Sequence, residues 1–141
     1  MKRHVDILIT QWALDSYLEL KHTKQFSSAD YERTIRPDVR LLREFPKPPK
    51  FASNKFWSPA TVNGHALPSG FKMKWHNLGD RRVQLRLPVG LGFTGELAMT
   101  AVLLHAYIKT DRNSEARQLA KMRTRLELLV MRKYIVKGRL T

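Results

Sequence analysis

The chain has 141 residues, 26 Lys plus Arg against 12 Asp plus Glu, a formal charge of +14 and no cysteine. A chain of this length can bury its own core, and 43% apolar residues with three tryptophans exclude a disordered basic tail. Without cysteine there is no disulfide framework, zinc-thiolate site or thiol nucleophile, and no stretch reaches the roughly 20 apolar residues of a membrane helix.

The first residues are basic, but the apolar stretch behind them is short and is interrupted by Asp6. The expectation is therefore a cytoplasmic protein with one domain over 1–141. Residues 4 to 10 alternate, with Val5, Ile7 and Ile9 opposite His4, Asp6 and Thr10, broken only by Leu8, which predicts a strand. From Gln11 to about His22 the spacing turns helical. Ser27 and Ser28 offer caps for a second helical stretch through Tyr31, Ile35, Val39 and Leu42, which Pro37 should kink or divide. A Pro-rich connector and loop follow over about 45–68.

Two alternating runs, 71–76 and 82–87, flank a turn containing Gly79 and predict a hairpin. A third apolar run over 97–108 predicts another strand. Asp111 to Ser114 offer caps for a C-terminal helix from about 114 that continues toward Thr141, with Leu119, Met122, Leu126 and Leu129 as its buried stripe.

In the hairpin the two-residue period sends Phe71, Met73, Trp75, Val83, Leu85 and Leu87 to one face. Lys72, Lys74, His76, Arg82, Gln84 and Arg86 go to the other. Even-with-even registers keep the apolar set together, for example His76 with Arg82, Lys74 with Gln84 and Lys72 with Arg86. The third strand's alternation sets Val102, Leu104, Ala106 and Ile108 against His105, Tyr107 and Lys109. Like charges opposed on a sheet cost stability, so such a face suits an anionic visitor. Arg and Lys can neutralise a pentacoordinate phosphorus, and His, Tyr or a lysine of lowered pKa can move protons. Polar residues at every second position also describe any half-exposed sheet, so spacing leaves catalysis, nucleic-acid binding and a solvated face open.

The segment from Gly70 to Trp75, the short turn and the run from Arg82 to Leu85 resemble the core hairpin of the RelE/HigB toxins in the RelE/ParE superfamily. Leu104, His105, Ala106, Tyr107 and Lys109 before a basic helix are similar to a later strand of HigB-like members. The resemblance implies an α+β fold, an antiparallel twisted sheet with N-terminal helices and a C-terminal helix packed on one face. It implies the toxin of a type II toxin-antitoxin pair, a ribosome-dependent endoribonuclease that cleaves mRNA by 2′-hydroxyl attack and inhibits translation. Its partners would be mRNA on the ribosome, rRNA and a cognate antitoxin, with no cofactor, metal or membrane. Carried over, Lys72 and Lys74 serve proton transfer and phosphate contact, and Arg82 stabilises the transition state. His105, Tyr107 and Tyr134 are candidates for the remaining acid or stacking group. Arg86 and Lys109 are further RNA contacts. The alternatives are a basic ribosome- or nucleic-acid-binding module without chemistry, and a ParE-like gyrase inhibitor.

Three further signals bear on function. Arg117, Lys121 and Arg125 recur every fourth residue and form a cationic ridge able to grip phosphates. Phe56 and Trp57 could stack on bases, although burial is the alternative. The run from Gly90 to Gly95 matches G-x-G-x-x-G, but the strand-like alternation after it lacks the helix that a dinucleotide site requires, so the expectation there is a turn.

Overall fold

The structure is a computed structural model that describes residues 4–92 and 99–140. Its first strand, β1 (Asp6–Thr10), runs straight into helix α1 (Gln11–His22). Thr10 makes this junction possible. Its hydroxyl donates to the Leu103 carbonyl and accepts from the Ala13 N–H, so one buried side chain ties β1 to a neighbouring strand and caps α1.

Ser27 and Asp30 form a reciprocal capping box that opens a continuous helical segment over 28–44. Within it a short α2 (Ser28–Asp30) passes through one π turn (Tyr31–Ile35) into α3 (Arg36–Arg40) and a closing 3-10 turn (Leu41–Glu44). The expected interruption at Pro37 takes the form of that π turn. Proline has no N–H for the carbonyl four residues back, and Arg36 N–H reaches five back to Tyr31.

The expected 45–68 loop is only half a loop. After a 3-10 turn (Pro49–Ala52), β2 (Trp57–Val62) and the long β3 (His65–Leu78) pair across Asn63 and Gly64, both with positive φ. Asn-Gly supports such a two-residue turn at little steric cost. β4 (Val83–Leu91) then pairs antiparallel with β3, and β5 (Thr100–Leu103) and β6 (Tyr107–Ile108) both pair with β4. The second half of the G-x-G-x-x-G run and the first residues of the predicted third strand, 93–98, lie outside the described residues.

Asp111 caps α4 (Arg112–Val130) by accepting from the Ser114 N–H, and Leu119, Met122, Leu126 and Leu129 form its buried stripe as predicted. The helix does not continue toward Thr141. Arg132 takes a left-handed φ, its N–H donates to Leu129 O and that of Lys133 to Leu128 O, a closure that satisfies the last carbonyls. The chain then forms β7 (Val136–Leu140), antiparallel to β1.

The sheet order is β2-β3-β4-β5-β1-β7, with β6 beside β4, and β1 and β5 are parallel. This corrects the expected antiparallel sheet with all helices on one face, and the arrangement is not the RelE fold. Its physical cause lies in apolar residues on both faces. Ile7, Met73, Trp75, Leu85, Leu87 and Leu103 pack under the N-terminal helical segments, whereas Leu8, Ala60, Leu67, Val102 and Leu104 pack under α4. At Gly70 of β3, a Cβ would lie 3.0 Å from a methyl of Leu126, so glycine lets α4 approach the sheet closely.

Two aromatic groups settle the first core. Phe56 and Trp57 are buried, with Trp57 stacked on Phe71 at 5.0 Å between centroids, so neither is presented to solvent as a base-stacking platform. Asp38, itself buried, accepts from Trp75 Nε1 at 2.9 Å and from Lys50 Nζ at 2.7 Å. Both its oxygens are thereby satisfied.

Candidate functional site

The basic face expected on the hairpin is only partly open, because α4 crosses it. At the N-terminal end of α4 a compact group of charges remains beside the helix. Strand pairing sets Lys74 opposite Arg86, and Arg86 opposite Tyr107 on its other side. Three strands thus place lysine, arginine and tyrosine in one row across the sheet. Lys72 lies two residues along β3 on the same face, and Lys109 follows β6.

Glu115, from the first turn of α4, reaches back over this row. It accepts from the Tyr107 hydroxyl at 2.7 Å and lies 3.5 Å from Lys72 Nζ and 3.7 Å from Lys109 Nζ. Two lysines therefore flank one carboxylate. Burial alone would raise the Glu115 pKa, but the Tyr107 hydroxyl and the charges of Lys72, Lys109 and Arg86 hold it below its ordinary value. Burial, then the Glu115 hydrogen bond and charge, push the Tyr107 phenol upward, so it stays protonated as a donor.

Arg86 is 5% exposed. One terminal nitrogen donates to the carbonyls of Trp75 and Leu85, while its buried Nε has no hydrogen-bond partner. Burial lowers its pKa, yet a guanidinium remains charged at any working pH. Lys74 differs from its neighbours. It makes no ion pair among the described residues, and burial followed by the charges of Lys72 and Arg86 lowers its pKa. A lysine in this setting can exchange a proton nearer neutrality than a solvated one.

The structure thus brings together Lys72, Lys74, Arg86, Tyr107 and Lys109 from the sequence-predicted set. Arg82 is not among them. The register is two residues away from the one expected, Lys74 meeting Arg86 rather than Gln84, and Lys72 meeting Pro88. Arg82 sits in the turn with φ +51° and an exposed side chain. Four strand positions separate it from Arg86, about 13 Å of extended chain. The turn itself explains this: its last residue must adopt a left-handed conformation, and that residue is Arg82, whose N–H bonds back to Gly79 O. His76, next to the turn, is exposed and its Nε2 lies 2.6 Å from Lys55 O. Tyr134 packs on the α4 core instead of joining the charged row.

His105 is also displaced from the expected pattern. Pairing with β4 slips by one residue between β5 and β6, so Leu104 and His105 both reach the α4 side, while Ala106 and Ile108 pack with the opposite core. The Ala106 N–H donates to Ser16 Oγ on α1 at 2.8 Å instead of to a strand. The His105 ring is 2% exposed and 6.1 Å from Tyr107 between centroids, and the Gln118 backbone is a weak hydrogen-bond partner for it. Burial, reinforced by Arg125 and Lys121, lowers its pKa to about 3, so it is neutral. Of the cationic ridge, Arg117 and Lys121 are exposed, and Arg125 lies over the Trp12 ring at 5.0 Å.

Spacing alone did not reveal Glu115 as a site residue. The available signal was positional: a helix capped two residues after Lys109 folds its first turn back over the strand end, carrying Glu115 with it. Among the described residues no three His, Asp or Glu side chains converge as a metal site, and no helix is long and apolar enough to cross a membrane. No family model, curated protein or solved structure matches the chain.

Proposed function

We propose that the protein is an endoribonuclease that cleaves RNA by attack of a ribose 2′-hydroxyl on the adjacent phosphate. The carrying observation is Lys74, without an ion pair among the described residues and of lowered pKa, facing the buried Arg86 in a row of cations. In the reaction, neutral Lys74 takes the 2′-hydroxyl proton as the oxygen bonds to phosphorus. Arg86, with Lys109, stabilises the extra charge on the phosphorane. The bond to the 5′-oxygen breaks and that oxygen receives a proton from the Lys72 ammonium, leaving a 2′,3′-cyclic phosphate and a 5′-hydroxyl. Tyr107 and Glu115 hold Lys72 and Lys109 in place. The substrate is mRNA on the ribosome, and a protein of this activity needs a cognate antitoxin.

The test is a reconstituted translation reaction with mRNA 5′ ends mapped by primer extension. Wild type yields new ends that require ribosomes, and Lys74→Ala reduces them by at least about 10²-fold, the usual contribution of a positioned acid-base group. Intact mRNA, or undiminished cleavage by Lys74→Ala, overturns the reading.

A specific observation favours a second reading. Glu115 already neutralises part of the row from within, as a sheet face built for stability would require. A nucleic-acid-binding module without chemistry then predicts steep salt dependence and no cleaved ends.

A further inference from the structure

On the face of the sheet away from α4, the N-terminal helical segments and the strands enclose a cavity of about 200 Å³. Its floor is Trp75, Leu85 and Leu87, which alternate along β3 and β4 with Lys74 and Arg86 of the charged row. Its roof comes from α1 and the π turn, through Ala13 and Tyr17 and through Tyr31 and Ile35. The described lining residues are all apolar or aromatic, and none carries a charge. The cavity opens to solvent beside α1, where Leu14, Tyr17 and Tyr31 are only partly buried. Protein interiors rarely hold a space larger than a water molecule, and a water there needs roughly two to four polar partners. Here the polar side-chain groups are two phenols and the Trp75 indole N–H, which already donates to Asp38. Such walls suit an apolar occupant, whose contacts they gain by dispersion.

We propose that this cavity is a binding site for a small uncharged aromatic molecule of one or two fused rings. Size sets the first limit. Drug-sized ligands occupy pockets from about 300 Å³ upward, whereas an apolar cavity of about 150 Å³ takes up benzene. At about 200 Å³ this one has room for a substituted or fused ring and is too small for a nucleotide. The rings in the wall set the second limit. Tyr17 stands edge-on to Phe26 at 5.9 Å and to Tyr31 at 4.8 Å between centroids, and with Trp75 they offer the edges and faces that a flat guest can meet. Charge sets the third, since a carboxylate or ammonium among these walls would be buried without a counter-ion. The π turn is an independent sign. Such turns are rare and recur at functional sites, and this one supplies both Tyr31 and Ile35 to the wall. Ala13 and Ala106 are the small side chains of the lining, and a larger aliphatic group at either position would take up the space. The site asks nothing of the charged row and stands apart from the nuclease reading.

Calorimetric titration of the whole protein with indole, alongside indole-3-carboxylate, tests the site. Indole should bind saturably at one site, and at least about tenfold more tightly than the carboxylate, which must leave its counter-ions behind. Ala13→Leu and Ala106→Leu, which fill the cavity, should each weaken indole by at least about fivefold, with circular dichroism showing that the fold is kept. In the wild-type protein, nuclear Overhauser contacts should join indole protons to the Ala13 and Ala106 methyl groups, which locates the site even where a variant fails to fold. Absence of saturable binding, or equal binding of the carboxylate, overturns the proposal. Undiminished affinity in the folded variants, or contacts to methyl groups elsewhere in the molecule instead, overturns it as well.

Discussion

His105 should make the protein acid-sensitive in a window set by its own burial. Its folded pKa of about 3 lies below the ordinary 6.5, so between those values the unfolded chain binds the proton and the folded one does not. Stability therefore rises with pH through the window and is lost as pH falls below about 6.5. Each unit of difference is worth about 1.4 kcal/mol, so moving from pH 8 to about pH 5 removes about 2 kcal/mol through this side chain. The groups facing it reinforce the direction: Lys121 and Arg125 on α4 both oppose a charged imidazole. Urea unfolding at the two pH values, for wild type and His105→Gln, isolates the effect because every other titrating group is common to both. With a slope near 2 kcal/mol per molar urea, the wild-type midpoint should fall about 1 M further than that of the variant. Equal falls in the two proteins would refute the assignment of a buried, neutral, proton-excluding His105.

Two perturbations elsewhere test the packing and the charge row. Gly70→Val should destabilise the fold by about 1–3 kcal/mol in urea unfolding, since even its Cβ would stand 3.0 Å from Leu126 and Leu67 and 3.1 Å from Met122; unaltered stability would mean that α4 is not held closely against β3. Glu115→Gln removes the internal anion from Lys72 and Lys109, so affinity for single-stranded RNA should rise, with the slope of log K against log salt steepening by about one unit. Filter binding between low and moderate salt reads both, and weaker binding by the variant would show that Glu115 orders the cations instead of competing with the phosphate.

Much of the chain's local structure was legible because local chemistry decides it. Ser27 and Asp111 act at helix starts, the α4 stripe is buried as spaced, and the hairpin presents Met73 and Trp75 opposite Lys72 and Lys74. The tertiary arrangement was less legible, although the sequence held clues. Leu8 interrupts the alternation of β1 because both faces of that strand are covered, and Asn63-Gly64 is a hairpin turn inside what proline content suggested was a loop. Pro59 is compatible with β2 because β2 lies at the sheet edge, where a missing N–H is tolerated. In the charged row, the residue types were readable but the partners were not. A two-residue shift replaces Arg82 by Arg86, and the slip at 104–106 cannot be obtained from period alone.

The place of β1 between β5 and β7 has a consequence for how the chain reaches this structure. Its two neighbours are β5, paired through Asp6 with Thr100, and β7, paired through Ile7 with Leu140. Each contact closes a loop of on the order of 100 residues, and such distant pairings slow folding because chain entropy is lost before they form. The β2-β3-β4 meander closes through turns of two and four residues and has no such delay. The order of assembly is thus meander first and β1 late. Substitutions in β1 should accelerate unfolding and leave the folding rate nearly untouched, whereas those in the β3-β4 hairpin should slow folding itself.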